Sequence, residues 1–146
     1  MSEYPDETEG TKTREREKTA NSKLILIVED DRLSMTLLSD FLNAHGYRVL
    51  KTSEGSEAIN LARDERPDLI LMDIRLPGIN GFDVTRLLKQ DDQTKAIPVI
   101  AVTAFATPED ETKALKSGCA AHITKPVNVD ELLRTVESFL PSSSSY

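Results

Sequence analysis

Glu29, Asp30, Asp73, Thr103 and Lys125 each stand directly behind a short apolar run. Leu24-Ile25-Leu26-Ile27-Val28 precedes the first two, Leu69-Ile70-Leu71-Met72 precedes Asp73, Val99-Ile100-Ala101-Val102 precedes Thr103, and Ala121-His122-Ile123-Thr124 precedes Lys125. The most apolar of these runs suit strands buried on both faces, and a polar residue at the end of such a strand stands where the chain leaves the core and meets water. Three carboxylates gathered at one sheet edge repel one another unless a cation sits among them. Oxygen donors with room for water suit Mg²⁺ or Mn²⁺ better than zinc, and no His/Cys cluster competes for that role. A carboxylate nucleophile, a metal, a hydroxyl and an ammonium are the parts that phosphoryl transfer uses. Taken singly, each residue has an ordinary explanation: Asp31 as a helix cap, Thr103 as a strand end, Lys125 as a surface charge. Placed together on four strand ends, they favour the functional reading.

That placement depends on the elements between the strands. A helix is expected over about Arg32 to Ala44, with Leu33, Leu37, Phe41 and Ala44 inward and His45-Gly46 as its stop. A more polar strand, Tyr47–Lys51, reads as an edge, and a helix from Gly55 to Glu65 follows with Ala58, Ile59, Leu61 and Ala62 inward. After the Asp68–Asp73 strand, Pro77-Gly78 turns the chain into a short helix, Gly81 to Gln90, and Pro98–Val102 is the fourth strand. Thr107-Pro108-Glu109-Asp110 offers an N-cap, a proline at the first helical position and an acid at the third, and that helix closes at Gly118. Ala121–Thr124 is the fifth strand, and Asn128-Val129-Asp130-Glu131 opens the last helix, which runs to Leu140. Five strands alternating with five helices, joined by right-handed crossovers, give a doubly wound α/β domain with a parallel sheet. In the flavodoxin-like (βα)5 arrangement, strand order 2-1-3-4-5, Glu29 and Asp30 lie beside Asp73 at the switch point.

Composition bounds the rest. The 146 residues suit one domain with tails, residues 23–140 folded, 1–22 a polar N-terminal arm expected to be disordered, and 141–146 a C-terminal tail. A net charge of −7 and a pI near 4.9 argue against binding nucleic acid or an anionic membrane by bulk attraction. The single cysteine, Cys119, fits a reducing compartment, and neither a signal peptide nor a membrane span is legible, so a cytoplasmic location is expected.

Val28-Glu29-Asp30-Asp31, Leu71-Met72-Asp73-Ile74-Arg75-Leu76-Pro77, Val102-Thr103-Ala104, and Gly118 with Lys125-Pro126 together resemble the receiver domains of two-component response regulators. The stretches LILMDI, IPVIAVTAFA and GCAAHITKP look closest to the DivK-type single-domain receivers that relay cell-cycle phosphosignals in bacteria. The resemblance implies that Asp73 accepts a phosphoryl group from a phosphohistidine on a histidine kinase or a histidine phosphotransfer protein. It implies that Asp30, Asp73 and the backbone carbonyl of Arg75 hold Mg²⁺, with Glu29 acting directly or through a water. Thr103 and Lys125 would each bond a phosphoryl oxygen, and the Lys125-Pro126 bond would be cis. Two positions depart from the commonest pattern: Glu29 stands where many members carry Asp, and His122 where a Tyr or Phe switch ring is usual. His122 and Phe105 are expected in switching, and Arg75 with Phe105 in slowing self-dephosphorylation. The partner surface implied for output lies around Phe105, Lys113, His122 and Leu132. The first helix would meet the donor, through Met35, Leu38 and Leu42. Other classes fit less well. An Asp-based phosphohydrolase wants a second acid where Arg75 stands, and a flavin binder wants a phosphate cradle where the chain is acidic. A degenerate receiver would lack the site residues present here.

Overall fold

The computed structural model describes residues 22–104 and 107–141. The expectations placed on residues 1–21 of the N-terminal arm, on residues 142–146 of the C-terminal tail and on Phe105 lie outside the described residues. Five strands and five helices alternate: β1 (Leu24–Val28), α1 (Arg32–Ala44), β2 (Arg48–Thr52), α2 (Gly55–Glu65), β3 (Leu69–Asp73), α3 (Gly81–Gln90), β4 (Val99–Thr103), α4 (Pro108–Ser117), β5 (Ala121–Thr124) and α5 (Val129–Phe139). The sheet is parallel throughout in the order β2-β1-β3-β4-β5, the flavodoxin-like order. Its register pairs Val28 with Met72, Asp73 with Val102, and Thr103 with Thr124, so the strands carrying the candidate residues end at one level.

The alternation of side chains along the strands divides the core in two. Leu26, Val28, Ile70 and Met72 face α2, α3 and α4, packing on Ala58, Ala62, Val84, Leu88 and Ala114. Ile25, Ile27, Leu69, Leu71 and Ile100 face the other way, onto Leu38 and Leu42 of α1 and Leu132 and Val136 of α5. Because β1, β3 and β4 are covered on both faces, every residue in them is buried, which is why they read as unbroken apolar runs. β2 pairs with β1 alone and is the edge expected of it. Arg48 and Lys51 are exposed, Val49 and Leu50 half-buried, and only Thr52 is buried.

Helix ends follow local chemistry. The side chains of Asp31, Asn80, Thr107 and Asn128 accept from the backbone N–H three residues on, in Ser34, Asp83, Asp110 and Glu131. Gly118 caps α4 at φ +104°, a left-handed conformation that glycine adopts without a Cβ penalty. Strand ends shift slightly from expectation. Tyr47 donates its N–H to Leu42 O and so belongs to the end of α1, and β2 starts only at Arg48, which donates to Lys23 O.

One expectation fails in α1. Leu33 and Leu37 are 66 % and 60 % exposed and Ala44 is also exposed, whereas Leu38, Ser39 and Leu42 are buried and Met35 and Phe41 partly so. Both candidate stripes have helical spacing, and the packing of α1 against the sheet turns the second one inward. We expect Leu42→Ala to cost about 2–5 kcal/mol in urea unfolding. Leu37→Ala should stay within about 0.5 kcal/mol of the parent, and the reverse ranking would refute this assignment of faces.

Candidate functional site

At the C-terminal edge of the sheet, Glu29 follows β1 without leaving its ladder, since its N–H donates to Thr52 O at 3.0 Å. Its side chain turns inward and is 2 % exposed. Asp73 closes β3 and is also buried, as is Thr103 at the end of β4, while Asp30 remains exposed. Lys125 leaves β5 with its N–H donated to Thr103 O at 2.7 Å, which ties the lysine backbone to the threonine strand. Its ammonium then reaches Glu29 Oε1 at 3.0 Å and Asp73 Oδ2 at 3.4 Å. Oxygens of Glu29, Asp30 and Asp73 all lie within 4.8 Å of one another. The carboxylates and the ammonium chosen from sequence are thus brought together, and Thr103 shares their rim.

Two backbone donors complete the arrangement. Asp31 N–H donates to Glu29 Oε2, and Arg75 N–H donates to Asp73 Oδ1, each at 3.0 Å. Each buried carboxylate is therefore held by the amide two residues ahead and faces the same ammonium. Residue types do not reveal main-chain donors, so sequence reasoning misses these two. The turn signals after each strand, the Asp31 cap and Pro77-Gly78, are the only hints.

The electrostatics follow from burial. Removal from water pushes the Glu29 carboxyl above its ordinary range. The Asp31 amide pulls it back, neighbouring Asp73 raises it again, and Lys125 lowers it, leaving it raised. For Lys125, burial pulls the ammonium down, but the hydrogen bonds and charges of Glu29 and Asp73 outweigh it, and the value is raised. Asp31 is held low by the Ser34 amide it caps. The donor set is all oxygen and offers three carboxylates at close range, which fits a hard divalent cation.

His122, on β5, is partly exposed, and its Nε2 lies 3.4 Å from Glu111 Oε2 of α4, a partner not legible in the sequence. Thr103, Ile74, Ala101, Glu111 and His122 contribute to the lining of a cavity of about 10 Å³. The Lys125-Pro126 peptide is cis. Leu132, expected at a partner surface, is instead fully buried beneath α5, because its position faces the sheet. Lys113 is exposed.

The fold is a doubly wound α/β module with an oxygen-rich rim at the C-terminal edge of its sheet, and comparison with known proteins gives the family. Residues 25–137 match the response regulator receiver domain, and the chain belongs to that family. Within it, the chain is 50 % identical over 118 residues to the polar-differentiation response regulator DivK of Brucella anthropi, covering 81 % of this chain and 96 % of that protein. It is 48 % identical over 119 residues to DivK of Brucella ovis, covering 82 % and 97 %. Among solved structures it is similar to the receiver domain of sensor histidine kinase PA1611 from Pseudomonas aeruginosa PAO1, which has a magnesium ion coordinated in its active-site cleft. The TM-score is 0.77 with 34 % identity, over 83 % of this chain and 99 % of that one. Vibrio cholerae chemotaxis protein CheY4 gives a TM-score of 0.78 and 28 % identity over 82 % and 99 %. Among the described residues no helix is long and apolar enough to cross a membrane.

Proposed function

We propose that this chain is a single-domain response regulator, its receiver spanning residues 23–140, that takes a phosphoryl group onto Asp73 from a histidine kinase or a histidine phosphotransfer protein. The observation that carries this reading is the meeting of buried Glu29 and Asp73, exposed Asp30 and the Lys125 ammonium at one sheet edge. In the transfer, an Asp73 carboxylate oxygen attacks phosphorus as the P–N bond to the donor imidazole breaks, and the departing imidazole keeps the electron pair and is protonated from water. Lys125 neutralises one phosphoryl oxygen and Thr103 donates its hydroxyl to another. Glu29, Asp30, Asp73 and the Arg75 carbonyl would hold Mg²⁺, which when bound offsets the oxygen charge that builds up in the transition state. The chain's reactions are its own phosphorylation and dephosphorylation. Its output is a partner bound differently in the two states, or onward transfer in a relay, in the cytoplasm.

The donor has a surface to meet. Leu37, Phe41, Val127, Val129, Lys125 and Pro126 contribute to a groove of about 570 Å³ between α1 and the turn into α5. Leu33, Leu37 and Val129 are exposed apolar side chains on these two elements. Exposed apolar groups rimmed by polar ones mark interaction sites. We therefore place donor docking on Leu33 and Leu37, the opposite stripe of α1 from the one expected. Leu37→Glu should leave phosphorylation by a small acyl phosphate within about twofold while transfer from a protein donor falls about tenfold or more, a hot-spot-sized loss. Equal rates from the protein donor would remove α1 from the docking surface.

Intact-mass measurement after incubation with Mg²⁺ and an acyl phosphate tests the core of the reading. One phosphoryl group should add to the chain and should be absent when the metal is chelated. A chain that gains no mass under these conditions is not a phosphoacceptor.

A further inference from the structure

Gly81, the first residue of α3, is buried against the backbone that carries Asp73. A Cβ built on it would lie 2.5 Å from Asp73 O, 2.8 Å from Ile74 Cα and 3.1 Å from Asp73 C. All three atoms belong to the main chain, so no side chain can swing away to make room. The surroundings leave little slack. Gly81 N–H donates to Ile74 O at 2.9 Å, and Ile74 N–H is tied to Val102 O of β4 at 3.2 Å. On the helix side, the buried Thr85 hydroxyl donates to Gly81 O at 2.8 Å. Moving the closest contact from 2.5 Å to beyond 3.0 Å therefore requires the helix to lift or the Asp73–Ile74 peptide to shift, by about half an ångström.

From this geometry we infer that Gly81 is a positioning residue for Asp73: its missing side chain lets the start of α3 seat the phosphoacceptor peptide at the distance the site requires. The Asp73 carboxylate meets Arg75 N–H at 3.0 Å and the Lys125 ammonium at 3.4 Å, contacts that a half-ångström displacement of the backbone breaks. The inference rests on the phosphoacceptor reading for its consequence, but its structural content stands apart from it.

The test compares Gly81→Ala with Gly118→Ala in the full chain. At Gly118 a Cβ would meet only the Lys89 side chain, with Cγ at 2.7 Å, but the φ of +104° strains any other residue there. It lies just before β5, at the sheet end away from the site, so it reports a destabilised chain with an untouched site. Three readouts are taken: Mn²⁺ affinity, the backbone amide shifts of Ile74 and Arg75, and phosphorylation by an acyl phosphate at saturating Mg²⁺. Both variants should melt earlier. Gly81→Ala alone should shift the two amides, weaken Mn²⁺ and slow phosphorylation by about tenfold or more, the scale expected for a misplaced reacting group. Wild-type values for all three in folded Gly81→Ala, or equal losses in Gly118→Ala, overturn the inference. Should Gly81→Ala not fold, Thr85→Val removes the hydroxyl that seats Gly81 without adding bulk. It should move the same two amides, and unchanged shifts overturn the inference. If the wild-type chain itself takes up no phosphoryl group, the phosphoacceptor reading fails, and the amide shifts and Mn²⁺ affinity still decide whether Gly81 seats Asp73.

Discussion

Asp73→Asn should take up no phosphoryl group under any Mg²⁺ or donor concentration, yet unfold at a higher temperature than the parent in a chelator. The two effects share a cause. The parent cluster holds three carboxylates within 4.8 Å and Lys125 as the one ammonium that contacts them among the described residues. An amide at position 73 removes one of the repelling charges. Its side-chain oxygen keeps the Arg75 N–H bond, so the local fold has no reason to change. On the proposed reading the same substitution also removes a metal ligand. A metal at 100 times its Kd adds about 2.7 kcal/mol to stability, and most of that gain should vanish in the variant. Thermal melts with chelator and with Mg²⁺ therefore give opposite rankings of the two proteins. A variant that melts below the parent in both conditions would show that Asp73 contributes structure and not strain.

Lys125→Met should be the most costly single change at the rim. Glu29 and Asp73 would then face each other buried, with only their backbone amides for compensation. Breaking a buried pair costs about 3–5 kcal/mol when both partners are fully enclosed. Lys125 keeps 23 % of its side-chain exposure, and Glu29 can relieve itself by taking up a proton, so about 2–3 kcal/mol is the expected loss. Phosphorylation should fall by about 10²–10³-fold, the loss typical of removing one donor to a developing oxyanion. The pH dependence carries a sign. Glu29 has a raised folded pKa, so between its unfolded and folded values the native state holds a proton that the unfolded chain has lost. Stability then falls as pH rises through that window. Without Lys125 the window widens, and Lys125→Met should regain stability on mild acidification more than the parent does. Lys125 works in the other sense. Its raised pKa contributes stability that is complete below the ordinary lysine value and is lost as pH climbs through the folded one. A variant as stable as the parent at neutral pH would mean that the 3.0 Å contact to Glu29 contributes nothing net.

Asp73 and Lys125 can both be chosen from the order of residues alone. Buried strands with polar ends announce Glu29, Asp73 and Thr103, because a strand covered on both faces tolerates a polar side chain only where it emerges. Helix boundaries are similarly legible at Thr107-Pro108 and Asn128, where a side-chain acceptor meets orphan N–H groups of the first turn, a contact that needs no tertiary partner. Handedness and alternation give the parallel doubly wound sheet, and the flavodoxin-like order, once adopted, gathers the acids at its switch point.

What local pattern does not supply is phase and distance. The two apolar stripes of α1 are equivalent along the helix, and the direction in which the chain leaves Asp31 toward the sheet decides that Leu38 and Leu42 go in while Leu33 and Leu37 stay out. The same holds for Leu132, whose exposure depends on which side of α5 meets the sheet. The amides of Asp31 and Arg75 carry no signature as donors, and the 2.5 Å approach of Gly81 to the Asp73 carbonyl is a property of two elements pressed together. Residue type and burial period are local, so the order of amino acids suffices to say which groups this protein brings to its sheet edge. How closely those groups stand, which faces remain outside and what seats Asp73 depend on how separately formed elements pack, and they are settled in three dimensions.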